Sequence, residues 1–404
     1  MKEAVGCRSC GHVGSPGYGA WVLETVRYTY RLRPGGQAES ALSDEWHRCR
    51  FLWNEAVHQS KSGRKPTLCR LSKLLTDARA HFAWLQEGSQ VAQQQMVRTY
   101  AQALDHSFVV KGRGKSTFKP RKKTLPSLEY TTRGFSLREG RLVLPKGVSI
   151  PVVWSRELPS VPSSVRVYRD SLGHWYASFV VRREVEPGPV ARGGIGVDWG
   201  VSTTATTSDP AYDLAFLGHR RRCAAELAKA QRTLSRRRRG KGVAQSHGYR
   251  RARITKATIE KKAARQTQHE SRVWAKRVVD DHGLIAVEDF KPKFLAHSRM
   301  ARKAADAAVG AAKRELIDRG TRAGRKVVLV QPAFTTMTCS GCGTRAKERL
   351  LLSERTFLCR TCGHAACRDR NAAKTILAVA ERGHTRVDDV SHWLPSSGSV
   401  VDAV

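Results

Sequence analysis

The chain has 404 residues, of which 40% are hydrophobic, so it can bury a large core without cross-links, and a small disulfide-stabilised scaffold is excluded. Lysine and arginine number 72 against 35 aspartates and glutamates, a formal net charge of +37 at pH 7, which predicts nucleic acid as a partner that neutralises the excess. The absence of an apolar run of about eighteen residues or of a signal core argues against a membrane partner and leads us to expect a reducing, cytoplasmic location.

The first motif along the chain is CRSCGH, which starts at Cys7 and resembles half of a zinc site. Cys49 with His47, or Cys69, could complete a second zinc site with it. Cys49 and Cys69 lie on or near a helical segment, however, and core thiols are the alternative interpretation. The sequence leaves a second zinc ion open.

Helical periodicity dominates the next part of the chain. Alternation over 22–32 predicts a first strand, and two glycines then precede apolar residues at helical spacing, at Leu42, Trp46, Cys49 and Trp53. The periodicity continues to about Phe108, which predicts a helical insertion. Within it, Gln90, Gln93 and Gln94 could read base edges or be ordinary exposed glutamines.

A basic stretch separates these helices from a β-rich region. Residues 111–123 carry seven basic side chains and no acid, too many like charges to pack together, so we expect a solvated arm or a polyanion contact. Period-two patterning then appears between residues 134 and 185, with turn residues at 170–173, and predicts a small β-barrel or curled sheet. A Pro-Gly-Pro sequence at 187–189 indicates a linker.

Beyond the linker, the apolar segments GIGVD, LIAVED and KVVLVQP alternate with helices, which predicts a mixed α/β domain with largely buried strands. Residues 220–277 carry twenty lysines and arginines against three acids, with a narrow apolar stripe at Cys223, Leu227, Ala230 and Leu234. Solvated helix faces usually interleave acids with bases, so phosphate binding by a docked basic helix is favoured. Residues 386–404 lack periodicity and are expected to form a mobile tail.

Three acids stand at the ends of predicted elements. Asp198 closes the first of these strands, Glu288 closes the second, and Asp369 begins the final helix. Carboxylates beside buried strands are costly unless paired or cation-bound, and acids from neighbouring strands can hold the two magnesium ions of phosphodiester hydrolysis. Each acid alone could instead be a cap, and Asp369 an N-cap. Asp289 should point the other way and be a surface or ion-pair residue.

Two C-x-x-C pairs lie sixteen residues apart, at Cys339, Cys342, Cys359 and Cys362. Four thiolates at this spacing predict a closed, structural zinc site. His364 and Cys367 lie nearby, but four cysteines already complete the shell, so both are interpreted as bystanders. The resulting zinc ribbon would be inserted in the α/β domain, just before Asp369.

In this order, GIGVDWGVSTTA, LIAVEDF, QPAFTTMTCSGCG, FLCRTCG and DRNAAKTIL resemble the RuvC-like nuclease and zinc-ribbon core of TnpB proteins and of compact type V CRISPR effectors. Upstream, YRLRPGGQ, RFLWNEAV and LPKGVSIPVVW are similar to the wedge and recognition parts of that family, so the resemblance spans about 22–380. It implies a prokaryotic, nucleoid-associated endonuclease that binds a guide RNA and cuts target double-stranded DNA at one site. The CRSCGH motif and the alanine-rich residues 299–324 depart from the family pattern.

The resemblance also implies roles for particular residues. Asp198, Glu288 and Asp369 match the catalytic acids that hold two Mg²⁺ ions, and the four ribbon cysteines match the ligands of a structural Zn²⁺. The implied fold is a RuvC/RNase H-like nuclease domain with an inserted zinc ribbon, plus an N-terminal β-barrel wedge that carries a helical recognition insertion. The expected parts are an N-terminal segment with the first wedge strand (1–40), recognition helices (41–110), wedge barrel (111–190), nuclease motifs I and II (191–332), target-binding ribbon (333–367), nuclease motif III (368–385) and tail (386–404).

Two other functions compete with this one. The first is a guided DNA-binding repressor that does not cut, and the second is an unguided transposon-associated nuclease. Retention of all three acids favours an enzyme over the repressor, and the absence of an H-x-H motif argues against single-strand transposase chemistry. Both a transposon-encoded branch and a CRISPR-linked branch are compatible with the sequence.

Overall fold

The structure is a computed structural model that describes residues 22–61, 66–110, 113–121, 124–185, 191, 193–240, 242–291, 300–348, 350–351 and 354–390. The chain divides into two compact units, Met1–Glu186 and Pro187–Val404. The CRSCGH motif, the Pro-Gly-Pro linker and residues 391–404 of the expected tail lie outside the described residues. No described helix is long and apolar enough to cross a membrane.

The N-terminal unit combines an antiparallel sheet with helices. Its strands are β1 (Val22–Leu32), β2 (Ser127–Thr131), β3 (Ser136–Arg138), β4 (Arg141–Leu144), β5 (Val148–Val153), β6 (Ser164–Arg169) and β7 (Trp175–Val185). Its helices are α1 (Gly36–Lys61), α2 (Leu68–His81), α3 (Ala83–Gln86) and α4 (Gln90–Val109). The strand order is β2-β6-β7-β1-β5-β4-β3. Within the described residues β2 and β3 are free edges, so the sheet is an open half-barrel and not a closed barrel.

Local chemistry explains most of these elements. The helical stripe predicted on α1 is buried, with Cys49 fully so. Thr67 and Ser89 cap α2 and α4, because their hydroxyls accept hydrogen bonds from backbone N–H groups in the first turn. The turn before β7 is also confirmed, since Asp170 Oδ1 accepts from the N–H groups of Leu172 and His174.

The basic stretch after α4 is only partly a solvated arm. Lys119 lies half-buried against α1, with its Nζ 3.5 Å from the ring centroid of Trp53. Its backbone N–H donates to Asn54 Oδ1 at 2.8 Å, and the Trp53 indole donates to the Thr117 carbonyl at 3.0 Å. The expectation of a solvated arm is wrong for Lys119, because an aromatic face accepts one cation. Burial lowers the pKa of Lys119 to about 8.

Two predictions for single helical residues are also wrong. Gln93 is fully buried, and its amide accepts from Arg79 at 2.6 Å and donates to the Leu85 carbonyl at 2.9 Å, so it neither reads bases nor faces solvent. Cys69 is exposed and not a core thiol, because it lies on the solvent side of the first turn of α2. Gln90 and Gln94 are exposed.

The C-terminal unit has the mixed α/β architecture expected from its alternating segments. Its strands are β8 (Gly194–Trp199), β9 (Ala205–Thr207), β10 (Leu284–Glu288), β11 (Lys326–Val330), β12 (Thr356–Leu358) and β13 (Ala365–Cys367). Its helices are α5 (His219–Arg222), α6 (Ala224–Arg236), α7 (His247–Asp281), α8 (Ala301–Ala307), α9 (Val309–Arg322) and α10 (Arg368–Glu381). The main sheet has the order β11-β10-β8-β9, with β9 antiparallel to the rest, and β12 and β13 form a separate hairpin.

Helices cover both faces of the main sheet. One face packs against α7 and α9 through Ile195, Val197, Ile285, Val287, Trp274, Val278 and Leu316. The other packs against α10 through Ala286, Val330, Ile376, Val379 and Ala380. Val387 and Val390 join this second cluster, so the expected mobile tail is wrong for 386–390, where apolar side chains find a core to enter.

Candidate functional site

Asp198 and Glu288 stand side by side at the ends of two parallel strands. The register of β8 and β10 pairs Val197 with Val287, so these acids occupy the next step along both strands. Adjacent strands lie about 4.8 Å apart, and residues at equal register point to the same face. The two carboxyl groups are accordingly joined by a hydrogen bond.

Both acids face α10. Gly196 lies two residues before the first acid and so points to the same face, where an added Cβ would lie 1.9 Å from the carbonyl oxygen of Ala373 in α10. Ala286, two residues before the second acid, packs in the cluster that contains α10. Because α10 carries Asp369 in its first turn, the third acid reaches the same side of the sheet.

The first two acids are strongly buried, with 7% exposure for Asp198 and 6% for Glu288. Burial raises the pKa of Asp198 well above its usual range, and the nearby carboxylates of Glu288 and Asp369 raise it further. Burial raises the pKa of Glu288 to about 7, although the hydrogen bond from Asp198 opposes that shift. Simultaneous ionisation of both carboxyl groups is therefore disfavoured, and a bound cation would stabilise their ionised form.

Asp369 approaches this pair without joining it. Its charge reaches Asp198, but its own oxygens lie 3.3 Å from Arg368 Nε and 3.5 Å from Arg355 Nη1. Arg368 also donates to the Leu351 carbonyl at 3.1 Å. Across the described part of the chain, three or more metal-ligating side chains bring their ligand atoms within 4.8 Å of one another only at the ribbon cysteines. The three acids thus share one side of the sheet but are not gathered that tightly.

An ion pair between Arg370 and Asp213, which was not predicted from the sequence, fixes the start of α10. Arg370 donates to both carboxylate oxygens of Asp213, at 2.8 and 2.6 Å. Asp213 also accepts from the Thr207 backbone N–H at 2.8 Å. Burial opposes ionisation of Asp213, but these hydrogen bonds hold its pKa below the usual range. No local signal pairs residues this far apart in sequence, so only the fold identifies the contact.

Three neighbouring residues were not expected to bind metal: Asp289, His364 and Cys367. Asp289 pairs with Lys313 at 2.8 Å, as strand alternation predicted. His364 contacts a serine hydroxyl at 3.4 Å, and Cys367 is exposed. Cys367 also occupies the N-cap position of α10, so the capping alternative for Asp369 is wrong.

The four cysteines of the ribbon converge, with their Sγ atoms all within 4.8 Å of one another. Cys339 and Cys362 are 3.7 Å apart at sulfur, and Cys342 and Cys359 are 3.6 Å apart. A glycine follows each C-x-x-C pair with a positive φ, 73° and 72°, which lets the chain turn back sharply. The spacing therefore folds into a compact four-thiol cluster.

Asn371 ties the ribbon to α10. Its Oδ1 accepts from the backbone N–H of Ser340 at 2.9 Å, and its Nδ2 donates to the Thr338 carbonyl at 2.7 Å. Thr375 donates to the same carbonyl at 3.1 Å. Asn371 and Thr375 are fully buried. The helix that carries the third acid thus also anchors the ribbon.

The basic region lies mainly on α6 and α7. Leu227 and Ala230 are buried, which confirms the narrow apolar stripe, and α6 ends at Arg236, the first of four consecutive arginines. Residues 231–232 and 235–240 are exposed. With three acids available in 220–277, most of this positive charge faces solvent without compensation from its own segment.

Comparison with known proteins identifies a matching family model and similar proteins of known naming. Residues 311–376 match the family model described as Cas12f1-like, TNB domain. A relative from Streptomyces pristinaespiralis, named as an RNA-guided DNA endonuclease, is 30% identical over 364 residues, which cover 87% of this chain and 88% of the relative. InsQ from Escherichia coli (strain K12), also named as an RNA-guided DNA endonuclease, is 25% identical over 344 residues, 78% of this chain and 83% of InsQ.

Among solved structures, a Cas12f1–sgRNA–target DNA complex matches with 14% identity and a TM-score of 0.45, over 88% of this chain and 98% of that chain. The match to residues 311–376 contains the four ribbon cysteines and Asp369. The Streptomyces relative extends the similarity over nearly the whole length of both proteins. The chain belongs to the TnpB family of RNA-guided DNA endonucleases.

Proposed function

We propose that this chain binds a guide RNA and cleaves target double-stranded DNA at a single RuvC-like site. The observation that carries the proposal is the arrangement of Asp198 and Glu288 on adjacent parallel strands, facing the helix that begins with Asp369. The names of the two curated relatives support the same activity. A complete set of three acids favours cleavage over a role as a repressor.

The three acids would hold two magnesium ions, because Mg²⁺ prefers oxygen ligands. The fit rests on the two buried carboxyl groups, which stand side by side on adjacent strands and whose pKa values burial raises, so that a cation would compensate their negative charge. Bound Mg²⁺ would activate water and stabilise the leaving oxygen of the phosphodiester. The chain supplies rigidity: the strands fix Asp198 and Glu288, and the Trp199 indole donates to the Glu288 carbonyl at 3.1 Å.

The ribbon cysteines would hold a structural zinc ion. Tetrahedral coordination with Zn–S bonds of about 2.3 Å places sulfur atoms about 3.8 Å apart. The separations of 3.6 and 3.7 Å agree with that geometry. Four thiolates fill the coordination shell, which leaves no position for water or substrate, so the ion would stabilise the fold of the ribbon.

The parts of the chain would divide the work as in the family. The half-barrel of the N-terminal unit would be the wedge, and α1 to α4 the recognition helices. The main sheet of the C-terminal unit would be the RuvC-like domain, and the ribbon would contact target nucleic acid. The basic surface of α6 and α7 would bind phosphates of the guide RNA or its duplex with DNA, because backbone contacts need charge but no sequence code.

Cleavage by the purified complex tests this function. The chain is co-expressed with RNA from its own locus and incubated with Mg²⁺ and a matching DNA library that has randomised flanks. Asp198→Ala should reduce cutting by at least about a hundredfold, since loss of about 3 kcal/mol of metal-dependent stabilisation has that effect, and should leave binding intact. Asp280→Ala removes an exposed acid at the end of α7 and is the matched control, expected to cut like the wild type.

The outcomes separate the competing functions. Undiminished cutting by Asp198→Ala would refute the active site. Tight binding of matched DNA by the wild type without any cutting would indicate the repressor. Cutting that persists after ribonuclease treatment, with only random RNA fragments co-purifying, would indicate the unguided nuclease.

A further inference from the structure

A cleft in the N-terminal unit has no role in the chemistry described above. It lies just after β5, has a volume of about 540 Å³, and is lined by Trp154, Ser155, Arg156, Glu157 and Leu158. Its walls combine an indole ring with a guanidinium group. That combination is typical of sites that hold an unpaired nucleobase.

Trp154 forms a fixed aromatic wall. Its Nε1 donates to the Gly140 carbonyl at 2.9 Å, and its ring lies 4.8 Å from Tyr30 and 6.0 Å from Phe179 between centroids. These contacts determine the orientation of the indole, yet 37% of the residue remains exposed. A large ring that is held in place and still open to solvent is a preorganised stacking surface.

Arg156 contributes a positively charged guanidinium group to the cleft. Its guanidinium carbon lies 4.6 Å from the ring centroid of Tyr28 and 5.4 Å from that of Tyr30. Arg156 is exposed, and in the part of the chain that the structure describes it has no carboxylate within 4.0 Å. The aromatic faces therefore position its charge, while its hydrogen-bond donors stay available for a phosphate.

We propose that this cleft binds one unpaired nucleotide, with its base stacked on Trp154 and its phosphate paired with Arg156. The chain's net charge of +37 makes a polyanion the fitting occupant, and an apolar peptide would leave Arg156 without a partner. The inference rests on the proposed function only for the source of the nucleotide, which would be the guide RNA or a displaced DNA strand. Nothing in it depends on cleavage.

The binding test uses the full chain and fluorescent single-stranded oligonucleotides of about eight nucleotides, each compared with an abasic oligonucleotide that has the same number of phosphates. Trp154→Ala should weaken binding of the base-containing probe by about tenfold or more and leave the abasic probe almost unchanged. Trp154→Tyr should restore most of the difference, which a merely structural role of the indole would not predict. Trp84→Ala, which removes another 37% exposed tryptophan, is the matched control.

Arg156 has a separate signature. Arg156→Ala should weaken both probes to a similar degree, because both carry phosphates, whereas Arg138→Ala removes an exposed charge on β3 and should have less effect. Photocrosslinking of a probe with one 5-iodouracil should label Trp154 in the wild type. Stronger labelling by RNA than by DNA would identify the guide as the source, and the reverse would identify a displaced strand.

Equal affinity of Trp154→Ala and wild type for the base-containing probe, or a crosslink confined to other segments, would overturn the proposal. Thermal melting of each variant shows whether it has folded, and Trp154→Tyr keeps the test decisive if Trp154→Ala has not. Guide-dependent cutting with no role for Trp154 would refute this site alone. If the wild type does not cut DNA but base-dependent binding at Trp154 is observed, the nuclease function alone is refuted.

Discussion

Asp198 and Glu288 are buried carboxyl groups that the proposed metal site needs in their ionised form. Burial makes that ionised form unfavourable, so the proposed function lowers the stability of the metal-free fold. Each pKa is raised in the folded protein, chiefly by burial. A group with a raised pKa stabilises the fold fully below its unfolded pKa, and that contribution is lost as pH rises through the folded value. For Glu288 the loss falls between pH 4.5 and about 7. The metal-free protein should therefore become less stable from mildly acidic to alkaline pH.

Replacing Asp198 by asparagine should reveal this destabilisation. The amide can still donate to Glu288, but it removes one negative charge from a buried pair. In EDTA, Asp198→Asn should melt at a higher temperature than the wild type, and the difference should be larger at pH 8 than at pH 5. Each kcal/mol of added stability corresponds to a rise of about 2–4 °C in melting temperature. Added Mg²⁺ should stabilise the wild type and leave the variant unchanged.

Calorimetry at both pH values, with EDTA and with Mg²⁺, measures these shifts. Asp280→Asn, which changes an exposed acid on α7, is the control and should melt like the wild type under all four conditions. If Asp198→Asn melts below the wild type at pH 8 in EDTA, the inference that ionisation of the buried pair destabilises the fold is contradicted.

The burial of Asp198 and Glu288 could be predicted from the sequence because its cue is local. A strand that ends in an acid shows both the burial and the direction of the side chain, and alternation also placed Asp289 correctly. The partners that hold the site could not be found that way. Arg370 meets Asp213, and Asn371 meets the ribbon, only after distant segments have packed.

At the scale of elements, the contact of α10 with β8 determines where the third acid stands. Gly196 permits this contact, since any Cβ there would overlap the backbone of Ala373. The same helix is anchored to the ribbon through Asn371. A displacement of α10 would therefore move Asp369 and strain the ribbon together.

Gly196→Ala tests this coupling. The helix must move to admit the methyl group, which should destabilise the protein by about 1–3 kcal/mol or more and strongly reduce guided cutting. Gly240→Ala adds the same methyl group where no atom lies within 4 Å, and it should retain stability and activity. Melting temperature and cleavage rate are compared for both variants. Wild-type behaviour of Gly196→Ala in both assays would show that α10 does not position the acid.

Elements with a long alternation or an uninterrupted apolar run were predictable, and a short strand with neither was not. The stripe of α1 and the alternation of β1 extend over many residues, so both were correctly placed. Strand β2 has five residues, follows a basic stretch and was not predicted. Its pairing with β6 comes from the sheet as a whole, since its sequence SLEYT has no apolar run like those of β10 and β11 and only two apolar residues in alternation.

At the scale of the molecule, the charge of +37 is the dominant feature, and residues 220–277 concentrate it. Cations that bind phosphates release counterions, so affinity falls with salt in proportion to the number of contacts. A basic surface that only keeps the protein soluble would show no such proportionality. The salt dependence of RNA binding therefore counts the contacts made by a chosen set of arginines.

Arg236 and Arg238, at the end of α6, are exposed and belong to this concentrated region. Replacing both with glutamine should lower the slope of log affinity against log salt by about 1.4–1.8 for the guide RNA, since each phosphate contact contributes about 0.7–0.9. The control replaces Arg322, at the end of α9, and Lys326, at the start of β11, with glutamine. Lys326 lies at the opposite end of the sheet from the acids. That pair should leave the slope nearly unchanged. Titrations by fluorescence anisotropy at several salt concentrations measure both, and equal slopes for the two double variants would show that the end of α6 does not contact the RNA backbone.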